Sequence, residues 1–193
     1  MARKQEIRNL RESKPTIIGA GITEKYYFVH LKRLHNYFID IKPRFFGSDC
    51  AYYMDKYVED VLSAGGMAIC VYDLDVTRNN AKENQHILNF QKKYENNRNV
   101  LLCGSMPSIE YWFLLHYEQV NRYFSSSDKV IENLRKYTAF TKHTDYLSRS
   151  NWVERLDKHI SDAINRAKEL KETGPSYTYL WRAIEYLESQ KIQ

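Results

Sequence analysis

Cysteine is scarce. Cys50, Cys70 and Cys103 are the only three in 193 residues, an odd number and widely spaced. That argues against a disulfide framework or a zinc site, and Cys70 and Cys103, in apolar runs, read as buried thiols. Long hydrophobic runs are missing too. Stretches such as Met67 to Val71 are far too short to span a bilayer, which leaves no membrane partner. The charged opening MARKQEIRNLRESK leads into no apolar stretch of signal-peptide kind, so the expected location is cytoplasmic. No internal repeat or low-complexity tract is visible. The Gly19-Ala20-Gly21 turn lacks the third glycine of a dinucleotide fingerprint, and no Lys-Ser/Thr follows it as in a phosphate loop. No serine or cysteine stands in a nucleophile elbow.

What remains has an ordinary globular balance, with 43% hydrophobic and 27% charged residues. A chain of this length can bury a sizeable core unaided. The net charge of +5 favours a polyanionic partner without specifying nucleic acid. Sixteen tyrosines are unusual; most are expected as half-buried rings with a wet hydroxyl, and base stacking is the lesser reading for any one of them.

Periodicity divides the chain. Residues 1–14 are basic and lack apolar spacing, as expected of an arm. Thr16-Ile17-Ile18 reads as a buried strand closed by Gly19 and Gly21. Thr23 is the expected cap of an amphipathic helix over Glu24 to Tyr37. Phe38 to Phe46 alternates like a second strand, and Tyr53 to Leu62 is helical, ending at Gly65-Gly66. Met67 to Tyr72 is a continuous apolar run of the kind buried on both faces of a parallel sheet. Ala81 to Tyr94 is helical, Val100 to Gly104 is a fourth strand, and a helix starts at Ser108. Strand and helix thus alternate four times over residues 15–126, which predicts an α/β fold with a four-stranded, mainly parallel sheet. Residues 127–193 read as helices only: Lys129 to Tyr137, Ser150 to Lys171 and Tyr177 to Gln190. The cluster Tyr177, Tyr179, Leu180 and Trp181 reads as core, with a docking interface as the alternative.

Open parallel sheets bind ligands outside the carboxyl ends of their strands. Three segments fall there: Gly19 to Glu24, Asp73-Leu74-Asp75, and Ser105 to Glu110. Asp73 and Asp75 are two apart, so in an extended segment both face one side and make a hard-oxygen pocket suited to Mg²⁺ or Mn²⁺. A capped turn with a solvated Asp75 is the plainer alternative. Glu24 and Glu110 stand in first helical turns, where a carboxylate is stabilised anyway, and this bland reading is the stronger one for Glu24. Ser105 and Ser108 are natural caps, and amides at the helix start beside Ser108 could hold a phosphate. His116 follows Trp112 and Phe113 at helical spacing and reads as packed.

At these residues the chain resembles the RloB (AbiLii-related) family. TIIGAGITEKYYFVHLK is similar to its opening, ICVYDLD to its Asp-x-Asp strand, and SMPSIEYWFLLHYE to its most distinctive block. FTKHTDYL, DAINRAKEL and GPSYTYLWRAIEYL carry the resemblance onward over nearly the whole chain. The resemblance implies a minimal Toprim-like (Rossmann-like) domain with a helical extension. It implies Mg²⁺-dependent nucleic-acid phosphodiester hydrolysis in bacterial antiphage or abortive-infection defence, with DNA, RNA or a nucleotide as target and a co-encoded ATPase as a further partner. By the same resemblance Asp73 and Asp75 hold metal and Glu110 is the later acidic position. Gly19, Gly21, Ser105, Ser108, Arg78 and Lys142 are phosphate-binding candidates. Ala20 stands where the family's catalytic glutamate belongs, and a methyl group moves no proton. Three accounts fit: a binding-only protein, Glu24 as substitute from the neighbouring turn, or an engineered inactivating change.

Overall fold

The computed structural model describes residues 14–19, 21–43, 50–75, 80–170 and 174–191. The first thirteen residues of the expected arm, together with Ala20 and Arg78, lie outside them.

Strands and helices alternate as β1 (Thr16–Gly19), α1 (Ile22–His35), β2 (Asp40–Pro43), α2 (Cys50–Ser63), β3 (Ala68–Asp73), α3 (Ala81–Tyr94), β4 (Val100–Met106) and α4 (Ile109–Leu115). Four further helices follow: α5 (Ser127–Leu134), α6 (Thr144–Leu147), α7 (Asn151–Asp157) and α8 (Ile160–Glu169). A two-residue strand, β5 (Tyr177–Thr178), precedes the last helix, α9 (Leu180–Ser189). The sheet order is β2-β1-β3-β4-β5. All pairings are parallel except β4 with β5, which is antiparallel. The expected α/β class holds, and helices flank the sheet on both sides.

The sheet has five strands rather than four. Tyr177 and Thr178 pair with Met106 and Ser105, so the tail is not purely helical. Two residues are too few to show a period of two, and helical spacing downstream hides them. The last helix accordingly starts at Leu180 rather than Tyr177. The expected long helix from Ser150 is two helices, broken where His159 leaves helical geometry (φ −119°, ψ 15°). The second strand begins at Asp40 rather than Phe38. Asn36, at φ 55°, closes α1 in the left-handed region, and the chain needs the next residues to turn. Thr23 is not the cap: Gly21 holds that position and Thr23 is buried in the first turn.

Alternation along the strands builds two cores. Ile17, Ile69, Val71 and Cys103 face a large one with α1, α4 and the later helices, where Trp112, Phe113, Phe140 and Trp152 pack. Ile18, Cys70, Tyr72 and Val100 face a smaller one closed by Met54 and Val58 of α2 and Ile87 and Phe90 of α3. Residues of the sheet and of the tail, such as Val130, Ala163 and Ile184, share the large core. Leu180 is fully buried there, while Tyr177, Tyr179 and Trp181 are half-buried. No helix among the described residues is long and apolar enough to cross a membrane.

Candidate functional site

The carboxyl ends of β1, β3 and β4 form one rim. The β1–α1 turn brings Glu24 to it. Glycine suits this turn through close approach rather than backbone angle, because Gly21 is extended (φ −138°). A Cβ at Gly21 would stand 2.7 Å from Glu24 Oε2, and one at Gly19 would stand 3.0 Å from Glu24 Cβ. The two glycines thus accommodate the Glu24 side chain.

β3 delivers Asp73. Beyond it the chain bends, and the main-chain N–H groups of Leu74 and Asp75 donate to Pro107 O at 3.1 and 2.9 Å. Leu74 N–H also donates to Ser105 O at 2.9 Å. These bonds lock the Asp73–Asp75 turn to the segment after β4. In return the Ile109 N–H, first in α4, donates to Asp73 Oδ1 at 2.8 Å. One amide at this helix start is therefore held by the protein's own carboxylate.

α4 delivers Glu110, which is 1% exposed. Ser108 Oγ donates to its Oε2 at 2.6 Å, and Lys142 Nζ stands 3.0 Å from its Oε1. Lys142 arrives from the stretch between α5 and α6. Ser108 occupies the expected cap position, but its hydroxyl turns to Glu110. Ser105 Oγ pairs with Thr178 Oγ1 of β5 at 2.7 Å. Both serine hydroxyls are buried and internally engaged.

Electrostatics tie these groups together. Burial, with the charge of Glu110 adding to it, pushes the Glu24 carboxyl up to about 7; its own main-chain N–H, that of Gly21 and the charge of Lys142 pull the other way. Burial, then the charges of Glu24, Glu110 and Asp75, hold Asp73 well above the usual carboxylate range, against the pull of the Ile109 N–H. Burial alone would lower the Lys142 ammonium, but the Glu110 ion pair and the fields of Asp73 and Glu24 outweigh it and raise it. Carboxylates outnumber cations here among the described residues, and the mismatch is expressed as retained protons.

The structure thus brings Glu24, Asp73, Asp75, Glu110 and Lys142 into one electrostatic unit. Glu24 is more than a helix-end charge, since it is only 4% exposed. His116 is packed as its spacing predicts: Nδ1 donates to Trp112 O at 2.9 Å, and burial lowers the ring to about 3. Sequence reasoning did not find the Lys142–Glu110 pair or the Asp73–Ile109 bond, because both close only through the fold. The Ser105–Thr178 contact was hidden for the same reason.

Among the described residues no three His, Cys, Asp or Glu side chains form a ready cage for a metal ion. The donor chemistry nonetheless fits a hard divalent cation. Mg²⁺ is commonly held by one or two carboxylates, with water and phosphate oxygens completing its shell. Asp73 and Asp75, whose charges interact at the end of β3, would be such a pair.

The family model described as RloB-like protein matches residues 16–187, which takes in every element of this rim. The chain belongs to the RloB-like family. No curated protein and no solved structure matches it. The RloB-like match runs from β1 into α9, so the acidic rim and the tail that supplies Lys142 and Thr178 are parts of one family unit.

Proposed function

We propose that this RloB-like protein works on a nucleic-acid phosphodiester at the acidic rim, as a Toprim-like, Mg²⁺- or Mn²⁺-dependent hydrolase. The observation that carries the reading is the delivery of buried Glu24 and Glu110 and half-buried Asp73 from α1, α4 and β3 to one rim, with Lys142 on Glu110. Asp73 and Asp75 would hold the cation, which when bound neutralises phosphate charge and lowers the pKa of water. Glu24 is the proton carrier: a carboxyl at about 7 both gives and takes a proton near neutrality. This favours Glu24 as the substitute for the glutamate missing at Ala20. Lys142 orients Glu110 and offers its exposed ammonium to a phosphate oxygen. The setting in antiphage defence, and an ATPase as partner, rest on the family resemblance alone.

Titration calorimetry with Mn²⁺, paired with Mg²⁺-dependent cleavage of end-labelled DNA and RNA, tests the reading. The chain is expected to bind Mn²⁺, Asp73→Asn to lose binding, and Ala20→Glu to raise cleavage, since a missing acid or base costs about 10²–10⁴-fold. No Mn²⁺ binding by either protein would sink it. Tight nucleic-acid binding with no turnover in the Ala20→Glu protein would leave a binding module instead, the alternative that the Ala20 methyl group favours.

A further inference from the structure

The first half of β4 has an open edge. Ala68 N–H donates to Asn99 O and Leu74 N–H to Ser105 O, both at 2.9 Å, so odd-numbered carbonyls along β4 face β3. Tyr179 N–H donates to Gly104 O at 2.9 Å, so even-numbered ones face the other way. Main-chain groups alternate along a strand, and those of Val100 and Leu102 therefore point away from β3. β5 reaches only Ser105 and Met106, and the chain then turns into α9. Val100 N–H is taken by Asn97 O at 3.0 Å. That leaves Val100 C=O, Leu102 N–H and Leu102 C=O without a hydrogen-bond partner among the described residues.

These three groups border a cleft of about 340 Å³ walled by Tyr72, Tyr94, Tyr179 and Arg182. The Arg182 guanidinium lies 4.1 Å from the centre of the Tyr179 ring and 5.5 Å from that of Trp181, and Arg182 is itself exposed, so the guanidinium is backed closely by Tyr179 and more loosely by Trp181. Such a backed guanidinium is a stacking platform for a flat π-system. In an extended strand the C=O of one residue and the N–H of the next-but-one residue are neighbours on the same edge. Val100 C=O and Leu102 N–H thus present an acceptor beside a donor.

The open run is short. It is closed at one end by Asn97 O on Val100 N–H and at the other by Tyr179 N–H on Gly104 O. A partner strand of ordinary length, about five residues, does not fit between these stops, whereas a single heterocycle edge does. We infer that this cleft binds the adenine ring of a nucleotide, with the exocyclic amino group donating to Val100 C=O, ring N1 accepting from Leu102 N–H, and Arg182 stacked on the base. The cleft volume suits a purine with its ribose. The site lies on the half of β4 remote from Asp73 and Glu110, and the inference does not rest on the acidic rim.

Adenosine, which carries no phosphate and needs no cation, is the probe. It is titrated into the full chain, with amide chemical shifts and calorimetry as readouts. Saturable shifts at the Leu102 amide are expected. Inosine, whose ring reverses donor and acceptor on this edge, is expected to produce none. Arg182→Ala should weaken adenosine about tenfold, and Asp73→Asn should leave its affinity unchanged. Absence of a saturable shift at Leu102, equal binding of inosine, or shifts confined to residues of the acidic rim would each overturn the inference.

Discussion

Lys142 Nζ stands 3.0 Å from Glu110 Oε1, and the two partners differ sharply in exposure: the carboxylate side chain is 1% exposed, the lysine side chain 42%. A half-open cation thus neutralises a fully enclosed anion. Truncating the cation leaves the anion buried and uncompensated, which is the destabilising way to break such a pair. Lys142→Met is expected to lower stability by about 2 kcal/mol, less than for a fully buried pair because water already screens the ammonium. Urea unfolding at neutral pH measures it. Adding Glu110→Gln should recover most of the loss; if the double variant is as unstable as the single, the pair does not hold the rim together.

Glu24 gives a pH dependence with a definite sign. Its folded value of about 7 lies above the ordinary glutamate value of 4.5, so the folded protein holds the proton more tightly than the unfolded chain. The stabilisation is fully present below about 4.5 and is lost as pH rises through 7. Burial of Asp73 acts in the same direction. For Glu24 alone the loss is on the order of 3 kcal/mol. Glu24→Gln should therefore become steadily more stable than the unsubstituted chain between pH 5 and pH 8, by urea midpoints. Parallel curves for the two proteins would show that Glu24 carries no such proton.

Gly21 tests how tightly that carboxyl is held. Its backbone is extended, so alanine is tolerated conformationally, and the only conflict is the new Cβ 2.7 Å from Glu24 Oε2. Gly21→Ala should displace the carboxylate and cost about 1–3 kcal/mol, the usual range for overpacking. In a Glu24→Ala background the same change should be nearly neutral. A double-mutant cycle reads the difference directly, and additive penalties would place the strain elsewhere.

The sequence carried the strands of the rim more clearly than its chemistry. Thr16 to Ile18 and Met67 to Tyr72 read as strands of a sheet covered on both faces, and both are strands. The carboxylate pair at the end of β3 was legible from spacing. Glu24 was not, because a first-turn glutamate looks the same in sequence whether it is solvated or enclosed. Its burial depends on two glycines letting it fold against β1. Lys142 looked like any surface lysine, since its partner is set by how the stretch after α5 crosses α4. β5 was invisible because two residues pair only where Ser105 and Met106 already stand.

Asp73 sets stability against cation binding. Its carboxyl is half-buried, is raised by desolvation and by three neighbouring carboxylates, and accepts from Ile109 N–H at 2.8 Å through Oδ1. Asparagine keeps an amide oxygen for that N–H and removes the charge. Asp73→Asn should therefore stabilise the metal-free protein by about 1 kcal/mol, a rise of roughly 2–4 °C in melting temperature for a chain of this size. The same change deletes one of the two oxygen donors expected to hold Mn²⁺. Ligand linkage then requires the order to reverse. With millimolar Mn²⁺ the unsubstituted chain should gain stability and the variant should not. Melting curves with and without Mn²⁺ decide both halves. A variant less stable than the unsubstituted chain without metal would mean that the Asp73 charge is already well compensated, and equal Mn²⁺ stabilisation of the two proteins would take Asp73 out of the cation site.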